Sequence, residues 1–112
     1  MLTQNNTRIH LTPSLLPFGS SSDLHLQPGK YLCKIHASQG NLLFRHSAYD
    51  VYNGTWTDQP QKNEPESLVI HEGETRNLTL TCGVNCGHTD DICIVNDSLL
   101  KPAEFTCCCI PQ

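Results

Sequence analysis

Beyond residue 29 the chain alternates apolar and polar residues with a period of two, the mark of half-buried strands rather than helices. In 30–36 (KYLCKIH), Tyr31, Cys33 and Ile35 share one face. Residues 76–82 (RNLTLTC) alternate most cleanly: Leu78, Leu80 and Cys82 point one way, Asn77, Thr79 and Thr81 the other. Shorter runs at 42–44 (LLF), 68–71 (LVIH), 92–95 (ICIV) and 103–110 (AEFTCCCI) predict further strands. Gln39-Gly40-Asn41 and Glu72-Gly73-Glu74 supply turn chemistry, and 83–91 reads as another turn region. Residues 96–102 read as a loop with room for one helical turn at Ser98-Leu99-Leu100. No long stretch carries the 3.6 period with caps, and no repeat of solenoid length is present. The expected class is all-β, small, disulfide-rich and made of antiparallel hairpins.

Residues 49–58 (YDVYNGTWTD) carry the strongest local hairpin signal, Asn-Gly between two β-favouring runs. A two-residue turn there places Tyr52 opposite Thr55 and Val51 opposite Trp56, a favourable pairing of β-branched and aromatic side chains. Residues 58–67 (DQPQKNEPES) form a polar loop, the expected site of mobility or proteolysis. Residues 1–29 are heavily punctuated by Pro13, Pro17, Gly19, three serines, Pro28 and Gly29, so they are expected to form a flexible N-terminal arm ahead of a stapled domain at 30–112. Leu15, Leu16 and Phe18 make a short apolar cluster within that arm.

Composition changes the picture because the core is modest. A chain of 112 residues with 38% hydrophobic content and a mean hydropathy of −0.34 is one domain that needs covalent staples. Seven cysteines are available: Cys33, Cys82, Cys86, Cys93, Cys107, Cys108 and Cys109. That density in a short chain points to an oxidising compartment and a disulfide framework. The three adjacent tail cysteines should seek partners elsewhere, since bonding neighbours requires a strained ring. On a strand, Cys107 and Cys109 share a face and Cys108 takes the other. Several pairings remain open, including Cys82 with Cys86; the tail is expected to be stitched to the 82–93 region, while a bridge to Cys33 would close a long loop. An odd cysteine is left over and allows a disulfide-linked dimer. Zinc is the competing chemistry, through Cys82, Cys86, His88 and either Cys93 or the tail, but the spacing has no matched second pair, and no metal or cofactor is expected.

Four sequons fit secretion: Asn5, Asn53, Asn77 and Asn96 each begin N-x-S/T. Asn77 falls on the polar face of its predicted strand, where a glycan must be. The first nineteen residues lack the basic and apolar regions of a signal peptide, so the chain reads as a mature secreted sequence behind an added Met1. No run approaches the roughly 20 apolar residues of a membrane-spanning helix. The net charge is −4, and the seven Lys and Arg residues are scattered singly, which disfavours nucleic-acid and anionic-membrane binding.

Six histidines fit no catalytic pattern: G-x-S-x-G, H-E-x-x-H, the P-loop and G-x-G-x-x-G are all absent. Cys86 with His88 would need a depressed thiol pKa and a shaped pocket to act as a dyad, and His88-Thr89-Asp90-Asp91 reads as a polar turn. No enzyme is expected. Candidate contact residues for a partner are Leu15, Leu16, Phe18, Tyr52 and Trp56, as apolar or aromatic side chains in loops and at edges; core packing is the competing role for Trp56.

Two resemblances converge on the C-terminal third. Gly73-Glu74-Thr75-Arg76 ahead of Cys82 and Cys86, then Cys93, then Phe105-Thr106-Cys107-Cys108, resembles single-domain von Willebrand factor type C modules, including small secreted proteins of arthropods and tick saliva. Those modules usually carry eight cysteines, with the last one set apart, so no disulfide pairing is carried over. The resemblance implies an extracellular binding module and, for the salivary kind, a ligand of host immune or complement factors. The approach to Cys82 through Glu72-Gly73-Glu74 and Leu78-Thr79-Leu80-Thr81, with Gly29-Lys30-Tyr31-Leu32-Cys33, is also similar to cysteine-bearing strands of immunoglobulin domains, though in reversed order; it implies an unusual β-sandwich. The reading that results is a secreted, glycosylated, disulfide-rich protein that engages and inhibits another extracellular protein. The alternatives are an assembly protein cross-linked by its odd cysteine and an intracellular zinc-binding protein.

Overall fold

Alternation produces strands throughout, in two antiparallel sheets. The computed structural model describes residues 3–16, 19–50, 55–57, 64–65, 67–82 and 88–112, with side chains placed for 8–16, 19–47, 64–65, 67–82 and 91–112. Its strands are β1 (Thr3–Leu11), β2 (Ser21–Asp23), β3 (Gly29–Gln39), β4 (Leu42–Asp50), β5 (Thr55–Thr57), β6 (Ser67–Ile70), β7 (Thr75–Cys82), β8 (His88–Asn96) and β9 (Ala103–Pro111). One sheet has the order β1-β9-β3-β7. The other runs β2-β8-β4, and both β5 and β6 pair with the far side of β4.

The core is the sum of the inward alternate positions. Tyr31, Cys33, Ile35 and Ala37 of β3, Leu78, Leu80 and Cys82 of β7, and Phe105, Cys107 and Cys109 of β9 form one inner face. Leu42 and Phe44 of β4, Ile70 of β6 and Ile92 and Ile94 of β8 form the other. His46 continues the β4 face and is fully buried. Asn77 and Thr79 are exposed beside buried Leu78 and Leu80, as the alternation requires.

Two segments within the expected N-terminal arm, residues 3–11 and 21–23, form one strand in each sheet. β1 pairs with β9 through Asn5↔Cys107 and Ile9↔Phe105, with an irregularity between, and β2 pairs with β8. Leu11 is buried in the core. Pro13, Pro17 and Gly19 fall in the connection between these two strands, and Pro28 in the next one. β1 is an edge strand and needs few apolar residues, so its polar sequence hides it.

The hairpin register also differs from expectation. Tyr49 pairs with Trp56 and Asp50 with Thr55, in place of Val51 with Trp56 and Tyr52 with Thr55. β4 is held over its whole length by β8, from Leu42↔Asn96 to Asp50↔His88. Residues 51–54, including Tyr52 and Asn53, lie outside the described residues.

Cys33 and Cys109 are register partners on the two central strands of their sheet, with Cα atoms 4.0 Å apart, and a disulfide joins them. Among the described residues the tail is thus bridged to β3, and Cys82, Cys93, Cys107 and Cys108 form no disulfide with one another. Cys82 lies opposite Gly29 at the end of β7. Cys93 sits on the other sheet between buried Ile92 and Ile94, pointing outward. Strand pairing brings together two residues 76 apart in sequence, and no local spacing rule reports that. Closing so long a loop lowers the entropy of the unfolded chain, which destabilises it by about 4–5 kcal/mol at room temperature. The paired substitution Cys33→Ala with Cys109→Ala is expected to lower the free energy of unfolding by up to that amount. Urea melts with and without reductant check it: reductant should destabilise the parent chain and leave the double variant unchanged.

Candidate functional site: the leucine loops at one end of the sandwich

One end of the sandwich is built by four connections: residues 12–20, 39–41, 71–74 and 97–102. Asn96, the last residue of β8, organises two of them, 12–20 and 97–102. It is only 2% exposed. Its Nδ2 donates to the carbonyls of Thr12 at 2.9 Å and Lys101 at 2.7 Å. Its Oδ1 accepts the Ser98 N–H at 2.9 Å, an Asx-type turn. Its backbone N–H donates to Ser20 O at 2.8 Å, and its carbonyl accepts the Ser14 hydroxyl. The helical turn expected at Ser98-Leu99-Leu100 does not form. Ser98 Oγ instead accepts the Lys101 N–H at 3.1 Å.

With that anchor in place, the 12–20 and 97–102 connections zip together. Ser14 N–H donates to Ser98 O at 2.8 Å and Leu15 N–H to Leu99 O at 3.0 Å. Two pairs of exposed leucines therefore lie on adjoining stretches of backbone: Leu15 is 66% exposed, Leu16 50%, Leu99 65% and Leu100 76%. Scattered exposed leucines need no explanation, but adjacent pairs on hydrogen-bonded loops form one apolar surface. The sequence singled out Leu15 and Leu16 and missed Leu99 and Leu100. The missed signal is an apolar doublet inside a polar loop, between Asn96 and Pro102, where alternation breaks without a core to serve.

Beside the leucines opens a cleft of about 730 Å³, walled by Gln39, Gly40, Asn41, Glu72 and residues 97–102. Gly40 has φ +69°, and a Cβ there would stand 3.0 Å from Pro102 O and 3.3 Å from Ala103 Cβ. Glycine is thus what lets the 39–41 turn close on the 97–102 loop. Asn41 joins the acidic walls: its carbonyl accepts the Asp97 N–H at 3.0 Å and its Oδ1 the Glu72 N–H at 2.9 Å. Glu72 Oε2 accepts the Gly40 N–H at 3.1 Å.

The remaining predicted residues do not gather here. Asn77 is exposed on the outer face of an edge strand. Phe18, Tyr52, Asn53 and Cys86 lie outside the described residues, as do the side chains of Asn5, Trp56 and His88. The Asn96 amide nitrogen that a glycan would occupy is enclosed and doubly hydrogen-bonded, so in the folded chain this sequon serves as a loop anchor. Among the described residues no group of three or more His, Cys, Asp or Glu side chains could hold a metal ion.

A second cluster is made of sulfur. Cys107 Sγ lies 3.7 Å from Cys109 Sγ, at the floor of a cleft of about 170 Å³ lined by Ile9, residues 22–25 and both cysteines. Burial, with a smaller contribution from Cys108, pushes the Cys107 thiol up to about 12. Burial followed by Asp91 and Asp23 raises Cys93 as well, against Arg45. Both thiols are held protonated, the opposite of an activated nucleophile. Arg8 and His10 flank Glu104 at 3.4 and 3.0 Å, and Ser38 Oγ donates to the same carboxylate at 3.0 Å. The glutamate bridges them, which ties β1, β3 and β9 but aligns no hydroxyl with the imidazole.

No family model matches the chain, and neither a curated protein nor a solved structure matches it.

Two measurements check this geometry. Asn96→Ala strips a buried anchor and leaves two carbonyls and one N–H short of a partner, and is expected to cost about 2–4 kcal/mol of stability; hydrogen exchange at Ser98 and Lys101 should accelerate with it, and glycopeptide mass spectrometry of the parent chain, expressed through a secretory pathway, should find Asn96 bare. For Cys107, the folded thiol keeps its proton to about 12 while the unfolded thiol loses it near 9.0. The folded chain therefore binds more protons in that window, and stability is expected to fall as pH rises through it. Denaturation at stepped alkaline pH should show a shallower fall in Cys107→Ala.

Proposed function

We propose that this chain is a secreted, glycosylated binding module that engages and inhibits another extracellular protein, with the leucine loops as its contact surface. The observation that carries the reading is the juxtaposition of Leu15 and Leu16 with Leu99 and Leu100 on two loops hydrogen-bonded to each other. Loops held by a rigid scaffold are where binding residues concentrate, and fixing them beforehand reduces the ordering cost of association. The Cys33–Cys109 bridge supports an oxidising compartment. The exposed Asn77 sequon supports glycosylation. The resemblance to von Willebrand factor type C modules supports an extracellular ligand, with host immune or complement factors as the class to examine first. The protein acts by occupying a surface and needs no catalytic centre.

A covalent assembly is the second reading. It draws on Cys93 and Cys108, half-buried thiols on the outer faces of the two sheets. Migration on non-reducing gels separates the two: a reducible dimer favours assembly, a monomer favours the binding module.

The chain expressed through a secretory pathway should bind at least one member of a panel of purified complement and other extracellular defence proteins in surface plasmon resonance, and should slow that protein's activity. Leu99→Ser with Leu100→Ser, and separately Leu15→Ser with Leu16→Ser, are expected to weaken that binding by about 10- to 100-fold with unchanged melting temperature. Full affinity in both paired variants would dismiss the leucine loops as the contact.

A further inference from the structure

We propose that the cleft beside the leucine loops receives a lysine or arginine side chain of the partner, so that the segment recognised is a basic residue flanked by apolar ones. This rests on the reading of the leucine loops as a protein-docking surface and adds what that surface selects.

Leu99 and Leu100 belong both to the apolar ridge and to the wall of the cleft. A segment laid across the ridge therefore directs a neighbouring side chain into the cleft. Its lining residues include two acidic ones, Glu72 and Asp97, against one basic one, Lys101. The carboxylate-bearing residues are held from behind: both backbone N–H groups bond to Asn41, and Glu72 Oε2 is tied to the Gly40 N–H. The negative charge is thus fixed on backbone rather than carried on loose loops. An apolar rim lowers the local dielectric and strengthens the field of those carboxylates. Lys101 at the same wall limits the site to one cationic group.

The same charges decide against a membrane. An anionic lipid surface is repelled by Glu72, Asp97 and the net charge of −4. A wholly apolar ligand would leave the two carboxylates facing a dry surface without a counter-charge. A basic group with apolar neighbours satisfies ridge and cleft together. Exposed ion pairs contribute little affinity and much selectivity, so the leucines supply the binding and the carboxylates the choice.

The test selects random displayed peptides on the full chain, then measures the enriched peptides by fluorescence anisotropy, with zwitterionic and anionic phospholipid vesicles run alongside. Enrichment of Lys or Arg beside Leu, Ile, Val or Phe is expected. Glu72→Gln with Asp97→Asn should weaken those peptides by about 3- to 10-fold and flatten their salt dependence. Glutamine at position 72 keeps an acceptor for the Gly40 N–H, so the turn survives. Exchanging the peptide's basic residue for glutamine should weaken binding to the parent chain by the same factor and have no effect in the double variant. Peptides without basic enrichment, or bound equally by the double variant, overturn the cation subsite while leaving the docking surface in place. Peptides that ignore Leu99→Ser with Leu100→Ser, a failure to enrich any peptide, or capture by vesicles instead overturn the docking reading itself and this inference with it.

Discussion

The pairing of β3 with β9 is the contact on which the rest of the fold depends. These are the two inner strands of their sheet, and β1 and β7 attach only to them. Residues 29–39 must find residues 103–111 across most of the chain. Such a non-local pairing carries a large loop-closure cost before any core forms. The chain meets that cost in two ways: inward alternation on both strands gives a shared apolar face, and the Cys33–Cys109 bridge removes unfolded conformations in which the strands are apart. A domain with a core this small has little else to offset the entropy of ordering its backbone.

The parts of this architecture written locally were legible, and the parts written in pairings were not. The buried faces of β3 and β7 follow from Tyr31-x-Cys33-x-Ile35 and Leu78-x-Leu80-x-Cys82, because a period of two is a property of neighbouring residues. β1 was illegible for a physical reason: an edge strand with one partner and an irregular register needs little apolar content, so it reads as part of the arm expected at 1–29. The disulfide was illegible in a different way. Seven cysteines announce a framework, but only the register Cys33↔Cys109 says which two meet.

The candidate site shows the same division. Leu15 and Leu16 stand out in any reading as apolar residues in a turn-rich stretch. Their neighbours Leu99 and Leu100 are 84 positions further along, and only the Ser14–Ser98 and Leu15–Leu99 hydrogen bonds put the two doublets on one surface. Asn96 is the residue whose meaning changed most. As sequence it begins a sequon; as structure it is a nearly buried amide whose hydrogen bonds reach Thr12, Ser98 and Lys101. The signature of that role, an asparagine followed by Asp-Ser at the end of a strand, is present in the sequence but is shared with the glycosylation motif.

Asn96 also explains how a modest scaffold can present an apolar surface without collapsing onto it. Leucines on an unanchored loop would fold back and bury themselves on the sheet edge. Here the backbone of 97–102 is held on one side by the Asn96 amide and on the other by the close approach of Gly40 to Pro102. The 12–16 backbone is then hydrogen-bonded to it and shares its restraint. The side chains are left with nowhere inward to go. An exposed apolar surface held in place costs solubility, and charge nearby offsets it: Glu72, Asp97 and Lys101 line the cleft beside Leu99 and Leu100 with groups that favour water. Polar rim around apolar centre is the arrangement of a protein interface, and here the 97–102 loop contributes to both, its leucines to the apolar part and Asp97 and Lys101 to the polar one, with Glu72 added from the 71–74 turn that Asn41 holds.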